Sequence, residues 1–219
     1  MHRSWWAFIR LFFRLLYNEC AWTYDLVAWT VSLGQWTAWG RTAIPHLQGE
    51  RVLELAHGPG HLLVAMAERG LAPVGFDLSQ HMGRLARLRL RRAKLAVRPG
   101  SRQAVPLVQA HAQVLPFDDG CMDSVVATFP TEFILDPATL REVARVLRPG
   151  GRLVVVAWAR LGGRDPLSRF IGWLYRVTGQ REPPPGMGEA ALTQAGFIPY
   201  VVRERVGRSQ VLLVVADKR

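Results

Sequence analysis

The segment Glu54-Leu55-Ala56-His57-Gly58-Pro59-Gly60 follows an apolar run and precedes a helical pattern. Gly58 and Gly60 let the backbone turn tightly and come close to a ligand. Glu54, at the end of the run, can accept hydrogen bonds or pair with a ligand ammonium. A second acidic residue, Asp77, ends the next apolar run. A carboxylate there can accept from both hydroxyls of a ribose, or cap the helix that follows. A glycine turn and an acid in this order indicate a nucleotide-bearing cofactor, with NAD, FAD and S-adenosylmethionine (SAM) all compatible with the turn itself.

Candidates for acid–base work are Glu132, His57, His61 and Tyr24. Glu132 is the first choice, because it follows the fourth strand on the ligand-binding edge of the expected sheet. A carboxylate there also serves as an ordinary helix-start residue, and loop histidines are more often structural than catalytic. Cys20 and Cys121 show no CxxC spacing and no His cluster accompanies them, so no metal site is expected. A reducing cytoplasm suits them.

These residues need a scaffold. Strands are expected at Arg51–Leu55, Pro73–Phe76, Pro106–Gln109, Asp123–Thr128, Arg152–Trp158, Phe197–Arg203 and Gln210–Ala216. Helices are expected at Leu62–Arg69, Leu78–Val97, Pro137–Leu147 and Glu189–Ala195. Strands alternating with helices make a parallel sheet covered on both faces. The last two strands have no helix between them, so they form an antiparallel hairpin at the edge. The fold class is α/β, a Rossmann-like, seven-stranded, mostly parallel sheet. The domain spans 48–219, with a substrate-side insertion at 159–188 that contains an apolar helix candidate, Leu167–Val177. Residues 1–47 form an appended, tryptophan-rich helical segment.

The first residues, MHRSWWAFIRLFFRLLYN, place Arg3, Arg10 and Arg14 on one helical stripe with aromatic and aliphatic residues around the rest. Such an amphipathic helix suits a membrane interface or a lid over the active site. No run is long and uncharged enough for a transmembrane span, and no signal-peptide cleavage site is evident. The 219 residues carry 28 Lys and Arg against 17 Asp and Glu, a net charge of +11. This favours anionic partners, either nucleic acid or a membrane surface. Arg84, Arg87, Arg91, Lys94 and Arg98 add a basic stripe on the second helix, which is a solvated face or a phosphate-attracting one.

Four segments together carry a family resemblance. VLELAHGPGHL resembles the SAM-binding turn of class I methyltransferases, and GFDLSQHM their second-strand segment. QAHAQVLPFDDGCMDSVVA resembles the segment leading into their fourth strand, and LREVARVLRPGGRLVVVAW their Pro-Gly-Gly turn and fifth strand. The resemblance covers about Arg51–Trp158. It implies SAM as cofactor, with Ala56, Gly58 and Gly60 facing the methionine part and Glu54 near its amino group. Asp77 would hold the ribose, Leu78 and Met82 would flank the adenine, Ala112 and Gln113 would approach its edge, and Phe129 would lie near the sulfonium. Ala56 stands where the family has its first glycine, and His111 where it has an adenine-binding aspartate. Thr128-Phe129-Pro130-Thr131 replaces the Asn/Asp-Pro-Pro-Tyr/Phe sequence of the common amino-methylating enzymes.

Upstream, YDLVAWTVSLGQWTAWGRTAI is similar to ubiquinone/menaquinone C-methyltransferases and to some bacterial phospholipid N-methyltransferases. The expected function is therefore methyl transfer to a lipophilic or lipid-headgroup acceptor, a phospholipid amine or isoprenoid quinone. The expected location is cytoplasmic, peripheral at the inner face of the cell membrane. An RNA methyltransferase and a noncatalytic SAM-binding protein of the membrane surface are the alternatives.

Overall fold

The computed structural model describes residues 30, 32–95, 104–163, 184 and 186–219. The expected amphipathic helix at 1–18, Tyr24, Arg98 and the helix candidate at 167–177 lie outside the described residues.

The chain forms α1 (Trp36–Arg41), β1 (Arg51–Leu55), α2 (His61–Ala67), β2 (Ala72–Asp77), α3 (Gln80–Arg92) and β3 (Leu107–Gln109). It continues with β4 (Met122–Thr128), α4 (Pro137–Val146), β5 (Leu147–Arg160), α5 (Glu189–Gln194), β6 (Phe197–Val206) and β7 (Ser209–Lys218). The seven strands make one sheet in the order β3-β2-β1-β4-β5-β7-β6. The first five strands are parallel, and β7 runs antiparallel between β5 and β6. This is the Rossmann-like sheet with a C-terminal hairpin that the sequence predicts.

Near-continuous apolar strands arise because both faces are covered. On one face Val52, Val126, Val154, Val156 and Leu213 pack with α2 and with Leu90 of α3. On the other, Leu53, Leu55, Val125, Ala127 and Leu153 pack with Leu140, Val143 and Val146 of α4 and Leu192 of α5. The side-chain period of two sends neighbours in each strand to opposite cores.

Element boundaries differ from the sequence reading in physically simple ways. The helix expected at Leu78–Val97 starts at Gln80, because the Ser79 hydroxyl caps it by accepting from the Met82 amide at 3.3 Å. It ends at Arg92, and Lys94 turns to φ 58°. The Pro-Gly-Gly turn after α4 lies inside β5, as a bulge between the pairs Met122–Leu147 and Ser124–Arg152. Gly150 takes φ 69° there, and a Cβ on Gly151 would stand 2.9 Å from the Arg148 carbonyl. At its other end β5 runs to Arg160, so the sheet extends past the expected start of the insertion at 159.

Candidate functional site

A cavity of about 210 Å3 opens at the carboxyl ends of β1, β2 and β4, where open α/β sheets bind ligands. Its polar floor comes from the β1–α2 turn. Glu54 is 1% exposed, and its Oε2 has no hydrogen-bond partner among the described residues. Burial, then the nearby Asp77 charge, push its carboxyl well above the usual range, while a backbone hydrogen bond from Leu63 pulls the other way. A buried acid left half-satisfied is costly unless a ligand completes it.

Asp77 braces the turn from the end of β2. Its Oδ2 accepts from the Gly58 amide at 2.9 Å and its Oδ1 from the Ser79 amide at 2.8 Å. Each oxygen keeps acceptor capacity for a further donor. The capping role weighed for Asp77 falls to Ser79. The Arg89 guanidinium reaches from α3 to the Pro59 carbonyl and ties the turn's other limb to the helix.

The turn's glycines do two different jobs. A Cβ on Gly58 would meet open space, so the backbone there is bare toward the cavity. Gly60, at φ 79°, does not line the cavity; a Cβ there would come within 2.9 Å of Ala86 Cβ, so glycine lets α2 and α3 approach. Ala56 adopts φ 54°. It keeps the left-handed backbone of the glycine it replaces, at some steric cost.

The opposite wall is aromatic. Phe129, at φ 49°, donates its amide to the Val156 carbonyl at 2.8 Å and turns its ring onto Trp36, with centroids 4.4 Å apart. Phe133 and the hydroxyl-bearing Thr37 and Thr131 complete this side. The α1 segment is held over the sheet by Ser209 Oγ, which donates to Gln35 Oε1 at 2.8 Å.

The structure thus brings Glu54, Ala56, Gly58, Asp77, Met82 and Phe129 together around one cavity. Leu78 is 56% exposed outside it, and Ala112 and Gln113 also lie outside; the Gln113 amide donates to Asp136 Oδ2 at 2.9 Å. Glu132 sits in a short 3-10 turn, Glu132–Leu135, exposed and outside the lining. His57 lines the cavity, but its ring is buried against Gly75, and Nδ1 lies 2.6 Å from the Gly58 carbonyl. Burial lowers its pKa, while Asp77 and backbone partners oppose the shift. That environment fits a neutral, packed ring. His61 also lines the cavity. Among the described residues no group of three His, Cys, Asp or Glu could hold a metal.

Sequence reasoning missed Trp36, Thr37 and Thr131. The tryptophan-rich segment signalled the first of them, but nothing local showed which ring would fold over the turn.

Comparison with known proteins agrees with this geometry. Residues 53–155 match the methyltransferase domain family. A demethylmenaquinone methyltransferase of Thermus thermophilus is 34% identical over 175 residues, covering 77% of this chain and 74% of the relative. One from Mycolicibacterium gilvum is 39% identical over 144 residues, 64% of this chain; the chain spans only 57% of that relative. The fold is that of the Streptomyces coelicolor geranyl diphosphate C-methyltransferase, with a TM-score of 0.62 and 17% identity over 84% of this chain and 79% of that one. The chain belongs to the class I SAM-dependent methyltransferases. Within that class it is similar to the quinone-methylating enzymes. The residues present fit the cofactor: Glu54 offers an unpaired buried acceptor to an ammonium, Gly58 a bare backbone and Asp77 a braced carboxylate.

Proposed function

We propose that the chain transfers a methyl group from SAM to an isoprenoid quinone in its reduced form, at a membrane surface. The observation that carries this reading is the cavity's two-sided character. An acidic floor of Glu54 and Asp77 faces an aromatic wall of Trp36, Phe129 and Phe133. The first suits the cofactor's ammonium and ribose, and the second suits a flat apolar ring. The names of the similar proteins, demethylmenaquinone methyltransferases, favour a quinone over a phospholipid amine.

SAM supplies an activated methyl group on a sulfonium. The chain's share of the work is alignment and exclusion of water. Glu54 and Asp77 fix the cofactor end. Trp36 and Phe129 hold the acceptor face and shield the transfer. No helix among the described residues is long and apolar enough to cross a membrane.

Incubation with labelled SAM and a total lipid extract tests the reading. Label is expected in a quinone fraction. Label confined to phospholipid or added RNA, or no label at all beside demonstrated SAM binding, would replace it with the corresponding alternative.

A further inference from the structure

Arg160 ends β5, and Arg205 and Arg208 flank the tip of the β6–β7 hairpin. Strand register brings the first two together. Arg160 pairs with Gln210 across β5 and β7, and Gln210 pairs with Arg205 across β7 and β6. Residues directly opposite in neighbouring strands project to one face, so Arg160, Gln210 and Arg205 form a cross-strand row. The Arg160 guanidinium donates to Gln210 Oε1 at 3.3 Å. Arg208 joins the row from the turn. A Cβ on Gly162 would lie 1.8 Å from the Arg208 carbonyl, so the chain leaving β5 is pressed against the hairpin tip.

The result is a shallow cleft of about 560 Å3 bounded by Arg160, Gly162, Arg205, Gly207, Arg208 and Gln210. All three arginines are exposed, and none forms an ion pair with a carboxylate among the described residues. The neighbouring Glu204 points elsewhere, to His46 Nε2 at 3.0 Å. By contrast, Arg51, Arg145, Arg148 and Arg152 each meet an acid.

We propose that this arginine cleft binds phosphate groups of anionic lipids and sets the catalytic edge of the sheet against the bilayer. Three facts favour a lipid surface as the source of the phosphate. The cleft is open and lies at the same sheet edge as the substrate cavity. Val201, on the same face of β6, is 56% exposed, which places apolar surface beside the charges. The chain's net charge is +11, complementary to an anionic leaflet. The inference rests on the lipophilic-acceptor reading above.

The test uses the full chain and vesicles of phosphatidylcholine alone or with phosphatidylglycerol. Binding to the anionic vesicles is expected, falling as salt rises. The variant R160Q/R205Q/R208Q should lose about a hundredfold, since each arginine near an anionic surface is worth about fivefold in affinity. Its SAM affinity and thermal midpoint should stay unchanged. R84Q/R87Q/R91Q removes the same charge from α3 and should lose much less. Equal losses in the two variants would mean general electrostatics and overturn the site. So would wild-type chain that ignores anionic vesicles but binds inorganic phosphate or diphosphate through these arginines, which would point to a soluble ligand. Calorimetry with SAM on the same preparations keeps the two readings apart. Absent SAM binding sinks the methyltransferase reading, and absent vesicle binding sinks only the cleft.

Discussion

The two edges of the sheet treat charge in opposite ways. At the amino ends of the parallel strands Arg51, Arg145, Arg148 and Arg152 are each matched by an acid. Asp123 accepts from the Glu50 and Arg51 amides at 3.1 and 2.9 Å and from the guanidiniums of Arg51 and Arg148 at 3.4 and 2.9 Å. Arg152 clasps Asp217, and Arg145 bridges Glu142 and Asp119. At the carboxyl ends, among the described residues, Glu54 keeps an orphan oxygen, and Arg160, Arg205 and Arg208 lack acidic partners. Satisfied groups hold strands in register, whereas unsatisfied ones remain available to a ligand. The division lets one end be rigid while the other stays chemically open.

The pKa directions repeat the contrast. Burial pushes Asp123 up, but its amide and guanidinium donors outweigh this and hold it at about 2. Glu54 moves up because burial and the nearby Asp77 charge outweigh the backbone hydrogen bond from Leu63.

Removing the matched acid tests the rigid edge most severely. Asp123→Ala strands two amides and the Arg51 and Arg148 guanidiniums, and should cost about 3 kcal/mol in denaturant unfolding. SAM affinity should be nearly unchanged. A large loss of affinity would mean that the edges are not independent.

Glu54→Gln should do the reverse. Losing a charged acceptor for the ammonium should weaken SAM binding about thirtyfold, or about 2 kcal/mol. The ligand-free variant should nonetheless be more stable near neutral pH. The sign follows from linkage: a carboxyl raised in the folded state stabilises fully below its unfolded value of 4.5. That contribution is lost as pH rises through the folded value. Melting curves of the ligand-free chain should fall across that range, and Glu54→Gln should flatten the decline. An unchanged slope would remove Glu54 as its source.

The smallest effect belongs to Ala56→Gly. Relief of the φ 54° strain is offset by added freedom in the unfolded chain, so stability should move by less than about 1 kcal/mol. A large change would show that the methyl group packs against something essential.

Much of this was legible in the residues. Apolar strand runs fixed the sheet, and Glu54, Gly58 and Asp77 fixed the floor of the cavity, because local backbone chemistry dictates both. What escaped was non-local. Glu132 was chosen for its place after β4, yet a one-turn 3-10 segment leaves it in solvent while its neighbours Thr131 and Phe133 line the cavity. His57 sits in the right turn, but its ring packs on Gly75 of another strand. The Pro-Gly-Gly stretch signalled a helix stop, and only pairing with β4 revealed a bulge inside β5. The arginine row is invisible in sequence, since register across β5, β7 and β6 creates it.

The strand order has a consequence for synthesis. Among the described residues β6 pairs with β7 and no other strand, and β7 is the partner that joins it to β5. A nascent chain that has released residues through Val206 therefore carries a strand with nowhere to dock. Only when 209–218 clear the ribosome can the hairpin zip onto the finished part of the sheet. The arginine row, which needs all three strands, can therefore form only once β7 has emerged.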